Sequence, residues 1–143
     1  EDELFFYDSD HKKRFYLLWS GSKENTLSRL PNYAATVFLL SADEKLWEKT
    51  HRQMSDTGIY FNQVRLGSVT LEQYILFHAA KDAYHGTKHI RLSELTDREL
   101  VPDEILRLIV NAFVIERYGM DIVEQKMCEE ILEERNYTVL AQS

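Results

Sequence analysis

Cysteine is all but missing from this chain: Cys128 is the single one among 143 residues. No internal disulfide and no Cys-rich zinc site can form, which fits a reducing compartment and predicts a cytoplasmic protein. Proline and glycine are scarce as well, at two and five residues. All-β folds built on many tight turns need more of both, so helices are favoured. No apolar run approaches the roughly 18 residues of a membrane span. The opening Glu1-Asp2-Glu3 is acidic, the wrong start for a secretory signal. No Gly-rich phosphate loop, dinucleotide fingerprint or Gly-x-Ser-x-Gly elbow occurs, so the common nucleotide-binding and serine-nucleophile chemistries lose their usual scaffolds.

Positive charge is also short. There are 17 Lys and Arg against 24 Asp and Glu, for a net charge of −7. Residues 1–93 carry 12 acids and 12 Lys/Arg, and residues 94–143 carry 12 acids and 5 Lys/Arg. The whole imbalance therefore sits in the C-terminal third, and a phosphate backbone repels such a surface. Hydrophobic residues make up 44% of the chain, enough for one packed core at this length.

Apolar periodicity and capping residues divide the chain into helices. Leu4-Phe5-Phe6-Tyr7 reads as a strand or an extended arm, and Asp8, Ser9 and Asp10 offer N-caps to a helix over His11–Ser20 with Phe15, Leu18 and Trp19 inward. Residues 22–30 suggest at most a helical turn. Pro31 suits a first helical position, and Tyr33 to Leu40 is apolar enough to be buried nearly all round. Ser41 to Glu44 matches a capping box with Ser41 as cap, predicting a bend or a new helix to about Met54. Asp56-Thr57-Gly58 is turn chemistry, and 59–61 with 64–66 could pair as a small hairpin. Thr70 to Gln73 is a second capping box, opening a helix from Leu71 to Tyr84 or His85, and residues 93–100 read as a loop or short helix.

Pro102-Asp103-Glu104 starts a helix running to Tyr118 with a stripe of Ile105, Leu108, Ile109, Ala112, Phe113 and Glu116, broad enough to predict a largely buried helix. Asp121 with Glu124 opens a last amphipathic helix to about Arg135. The fold expected is mainly α: one domain over 1–143, a bundle of five or six helices around a four-helix core. It has a short extended N-terminal arm and at most a small β element near 59–66.

The run Leu4-Phe5-Phe6-Tyr7-Asp8-Ser9-Asp10-His11, then Arg14-Phe15 and Leu17-Leu18, followed by the apolar helix Tyr33–Leu40, resembles families of small proteins from Gram-positive bacteria and their phages that have no established activity. The likeness covers residues 4–40. It implies a mostly helical fold and a mobile-element origin, and it carries over no functional residue.

The sharpest chemical constellation is His78, Asp82, His85 and His89, spaced i, i+4, i+7 and i+11. On an ideal helix these lie within about 60° of one another. Imidazoles and a carboxylate one turn apart are what a divalent metal needs, so one reading is a metal-dependent enzyme using this cluster on the 71–89 segment. A single straight stripe supplies ligands along a line, however, and Gly86 interrupts the helix before His89. The plainer reading is a solvated face on which Asp82 pairs with His78 and His85. Asp8 and His11 offer a carboxylate–imidazole pair, or simply an N-cap and a first-turn residue. Lys12-Lys13-Arg14 could touch a phosphate or acidic partner, but three adjacent charges spread around a helix. Cys128 falls on the apolar stripe of the last predicted helix, which suits an inert thiol.

Glu124, Glu129, Glu130, Glu133 and Glu134 leave one side of that helix strongly negative, which suits docking onto a partner protein with a basic surface. Together these features predict a non-enzymatic protein-binding or regulatory module with no membrane contact and no nucleic-acid binding through its C-terminal third. A homodimer through apolar helix surface is a further reading.

Overall fold

The computed structural model describes residues 4–20, 30–55 and 57–119. The predicted helix over 121–135, with Cys128 and the five glutamates of the acidic face, lies outside the described residues, as do the side chain of Trp19 and nearly all of 22–30. The described part is mainly helical: α1 (Ser9–Ser20), α2 (Pro31–Leu40), α3 (Glu44–Thr50), α4 (Leu71–His85), the short α5 (Leu92–Leu95) and α6 (Asp103–Tyr118). Two short strands, β1 (Met54–Ser55) and β2 (Gly58–Ile59), pair antiparallel with Met54 opposite Ile59. No described helix is long and apolar enough to cross a membrane.

Helix α2 is the axis of the molecule. Its N-cap, Leu30, offers no side-chain hydrogen bond, and Pro31 at the first position removes one orphan donor. Packing holds it: Tyr33 through Leu40 are all buried, and it packs against both α4 and α6. Full burial of side chains such as Phe38, Leu39 and Leu40 is worth about 1.5–3 kcal/mol each. Small residues set the spacing to α4. Ala35 and Ala80 are fully buried, and the Thr36 hydroxyl bonds Asn32 O at 2.7 Å while lying 3.3 Å from Ala80 O on the neighbouring helix.

Two caps are joined into one network. The Thr70 hydroxyl accepts from Gln73 N, and the Gln73 side-chain oxygen accepts from Thr70 N, completing the predicted capping box. The Gln73 amide nitrogen then donates to Asp43 Oδ1 at 3.0 Å, and that oxygen also accepts from Leu46 N. Asp43 is therefore the N-cap of α3, which corrects the assignment of that role to Ser41. Ser41 instead closes α2, its N–H bonding Val37 O. An aspartate one residue before the first turn competes better for the free amides than a serine still committed to the preceding helix.

Three other expectations need correction. Helix α3 stops at Thr50 and continues as a 3-10 turn over His51–Gln53, because the chain must extend at Met54 to pair with Ile59. The hairpin thus pairs Met54–Ser55 with Gly58–Ile59 and does not turn at Asn62-Gln63, which falls in a 3-10 turn over Phe61–Gln63. Helix α6 is buried on one face only: Ile105, Leu108, Ile109, Ala112 and Ile115 are inside, while Val110, Phe113 and Glu116 are exposed.

The N-terminal arm is extended, as expected. Phe5 N donates to Asn111 Oδ1 on α6, and Phe6 inserts among His11, Phe15, Tyr16 and Phe38. Asp8 Oδ1 accepts from His11 N at 2.7 Å, so Asp8 acts as a helix cap and not as a partner for the imidazole.

Candidate functional site

The end of α4 is built by one carboxylate. Gly86 takes a left-handed φ of +71° that stops the helix, and its N–H bonds Asp82 O. Asp82 then organises the following loop. Its Oδ1 accepts from the Thr87 hydroxyl at 2.6 Å, His89 N at 2.9 Å and His89 Nδ1 at 2.6 Å, and its Oδ2 accepts from Ile90 N at 2.8 Å. Partial burial works against the charge, but these donors together outweigh it and hold the carboxyl below its ordinary range.

The four residues singled out by spacing therefore part company. His78, Asp82 and His89 come together, with the two imidazole centroids 5.4 Å apart. His85 does not join them: its ring lies against Phe61 and Tyr84. Asp82 does not pair with His78 or His85, because the chain beyond Gly86 folds back and offers it closer donors.

Among the described residues this donor set offers a metal few open ligand atoms. Asp82 Oδ1 already accepts three hydrogen bonds and Oδ2 one, which leaves a lone pair on Oδ2 alone. His78 Nδ1 is buried and finds no hydrogen-bond partner among the described residues. Coordination through the other ring nitrogen would force a proton onto that buried, unpartnered position. Burial, then the neighbouring His89 and Lys81, lower the His78 pKa and favour its neutral form. Among the described residues no group of three or more His, Cys, Asp or Glu side chains is placed to hold a metal ion.

Beside this loop lies a cleft of about 150 Å³. Its apolar walls include Ala79 and Ala83 of α4, Ile109, Ala112 and Phe113 of α6, and Leu39 of α2. Ile90 and Leu95 close it from the loop side, and Asp82, Thr87, Lys88 and Glu116 supply its polar atoms. The space exists because three alanines face it where longer side chains would close it. Phe113 stands at the lip, half exposed. Desolvation holds the Glu116 carboxyl above its ordinary range.

In the sequence Glu116 falls on an apolar stripe, where a carboxylate is out of place. That mismatch was the available signal, together with Ala79 and Ala83 at i, i+4 on a core-facing helix. The remaining described imidazole and the basic cluster have structural roles. His51 Nδ1 bonds Trp47 O and stacks on the indole. Arg14 Nε donates to Ser41 O at 2.8 Å, so the 12–14 cluster is split between the surface and an internal bond. No family model matches the chain, and no curated protein or solved structure matches it either.

Proposed function

We propose that the chain is a non-enzymatic protein-binding or regulatory module, and that the cleft between α4 and α6 receives an apolar side chain of its partner. The observation that carries this reading is the cleft itself, an alanine-walled space with a half-exposed phenylalanine at its lip. Buried apolar anchors of this kind dominate the energetics of protein recognition. The groups there of a type used in catalysis support the same reading: Asp82, Thr87 and His89 bond one another in shaping the loop. The acidic residues Glu124, Glu129, Glu130, Glu133 and Glu134 add a preference for a basic partner. A single cysteine suits the cytoplasm.

The test is co-purification of the tagged full chain at low and high salt, repeated with Ala83→Leu, which grows into the cleft, and with Leu71→Ala, which trims an exposed side chain at the start of α4. A specific partner lost on Ala83→Leu and kept on Leu71→Ala is expected. A chain that retains no specific partner, or one that holds its partner equally well with the cleft filled, removes the reading. Sedimentation of the free chain decides the competing homodimer.

A further inference from the structure

The cleft carries a charge pattern as well as a shape. Its lining holds two carboxylates, Asp82 and Glu116, against one ammonium, Lys88. The two carboxylates are not equivalent. Asp82 accepts four hydrogen bonds from its own loop, three at Oδ1 and one at Oδ2, so most of its accepting capacity is already used. Glu116 has no hydrogen-bond or ion-pair partner among the described residues, and it stands exposed at the edge of the cleft, where partial desolvation raises its carboxyl. It also lies in the last turn of α6, whose carbonyl end already favours a cation over an anion. The adjacent Arg117 does not relieve it, since that guanidinium lies over the Tyr118 ring at 5.6 Å. Lys88 is exposed on a long flexible stem in the loop and can swing into solvent, while the backbone of Glu116 is set by α6.

We propose that the cleft recognises an apolar anchor with a cation beside it: an aromatic or branched side chain of a basic partner protein fills the space between Ala83 and Ala112, and the neighbouring ammonium or guanidinium pairs with Glu116. This rests on the reading of the cleft as a binding site and adds the chemistry of its occupant. The volume suits the anchor, because a void of about 150 Å³ is of the size that accepts one benzene ring. The charge suits the cation, because pairing satisfies a lining carboxylate that accepts no hydrogen bond from the described residues.

Small probes separate the two parts. The full chain, labelled with ¹⁵N, is titrated with 2-phenylethylamine, 2-phenylethanol and 3-phenylpropionate, three ligands of similar body and different charge. The amine is expected to bind about fivefold tighter than the alcohol, the gain of one favourable exposed ion pair, and the carboxylate weakest. Glu116→Gln, at an exposed position that tolerates the change, should bring the amine down to the alcohol and leave the alcohol unmoved. Ala83→Leu should weaken all three.

An amine that binds no better than the alcohol overturns the cation assignment while the cleft stands as an apolar site. If none of the three shifts the amides of 79–90 or 109–116, the cleft reading falls and this proposal with it. The peptide acetyl-Phe-Lys-amide supplies the last arm. It should match or exceed the amine, and a free amine that binds where the peptide does not would assign the cleft to a small molecule and overturn the protein partner.

Discussion

His11 and His89 are the same residue fixed at the same ring atom, with opposite consequences. His11 Nδ1 accepts from Tyr7 N at 3.0 Å, so that nitrogen must keep a bare lone pair, and Nε2 donates to Phe38 O at 2.7 Å. Both ring nitrogens are satisfied only by the neutral tautomer. The ring is fully buried between Phe6 and Phe38, and a proton on Nδ1 would face an N–H. Burial, against the partial relief of the Phe38 carbonyl, brings its pKa down to about 4. His89 Nδ1 instead faces Asp82 Oδ1 at 2.6 Å, an acceptor, so that nitrogen carries the hydrogen. The His89 side chain remains 43% exposed. One histidine is a piece of core that happens to be polar, and the other is a pin holding a loop at the surface. The partner atom, supplied by the tertiary fold, decides which.

Removing each ring should expose that contrast most strongly. His11→Ala leaves Tyr7 N and Phe38 O without their partner and opens a cavity among aromatics, for an expected loss of about 4 kcal/mol in chemical denaturation. His89→Ala should cost under about 1 kcal/mol, because a mostly exposed side chain is lost and Asp82 keeps its other donors. Similar losses at the two sites would erase the distinction.

Acid should separate them next. The native His11 pKa is lowered from 6.5 to about 4, so the unfolded chain takes the proton first. Its contribution is complete above pH 6.5 and is lost as pH falls toward 4, about 3 kcal/mol in all. Denaturation midpoints measured at steps from pH 7 to pH 4 should show that decline in the parent and in His89→Ala alike. A flat profile over that range would mean that His11 is not held neutral. The depressed Asp82 carboxyl adds its own loss as pH falls through its unfolded value of 3.8, mostly beyond the acid end of that window.

Removing the acceptor of the loop's hydrogen bonds tests the pin directly. Asp82→Ala removes the acceptor of four hydrogen bonds, and these are exchanged for water in a loop that is largely exposed. A loss of about 2 kcal/mol is expected, with faster amide hydrogen exchange at His89 and Ile90. Unchanged exchange at those two amides would show that the loop is held by something else.

The sequence revealed these elements unevenly, for physical reasons. Helix α4 was legible from end to end because its signals are local: Thr70 and Gln73 satisfy each other, and Gly86 supplies the left-handed stop. Helix α2 was legible because burial on every side leaves an unbroken apolar run. The β1–β2 hairpin was misplaced because its strands are two residues long and too short to alternate. Its second strand is held from outside: Ile59 N donates to Tyr84 Oη, and any Cβ at Gly58 would come within 2.7 Å of that oxygen. Nothing near Gly58 in sequence announces a tyrosine 26 positions away. The histidine cluster failed in the same way. Helical spacing put His85 beside Asp82, but the competition for that carboxylate was won by donors beyond the helix end. The cleft needed the packing of α4 on α6, which no single-helix pattern contains.

The arm at residues 4–7 has a bearing on the order of folding. The Phe5–Asn111 hydrogen bond joins positions 106 apart, and Phe6 completes a cluster whose other members come from α1 and α2. Closing so long a loop before the helices exist would cost chain entropy with little return. The arm therefore docks late, onto a scaffold already assembled. Trimming Phe6 to leucine should hasten unfolding and leave the folding rate nearly unchanged. An arm whose contact spans 106 positions is thus expected to act as a latch on the lifetime of the native state, with little part in the speed of reaching it.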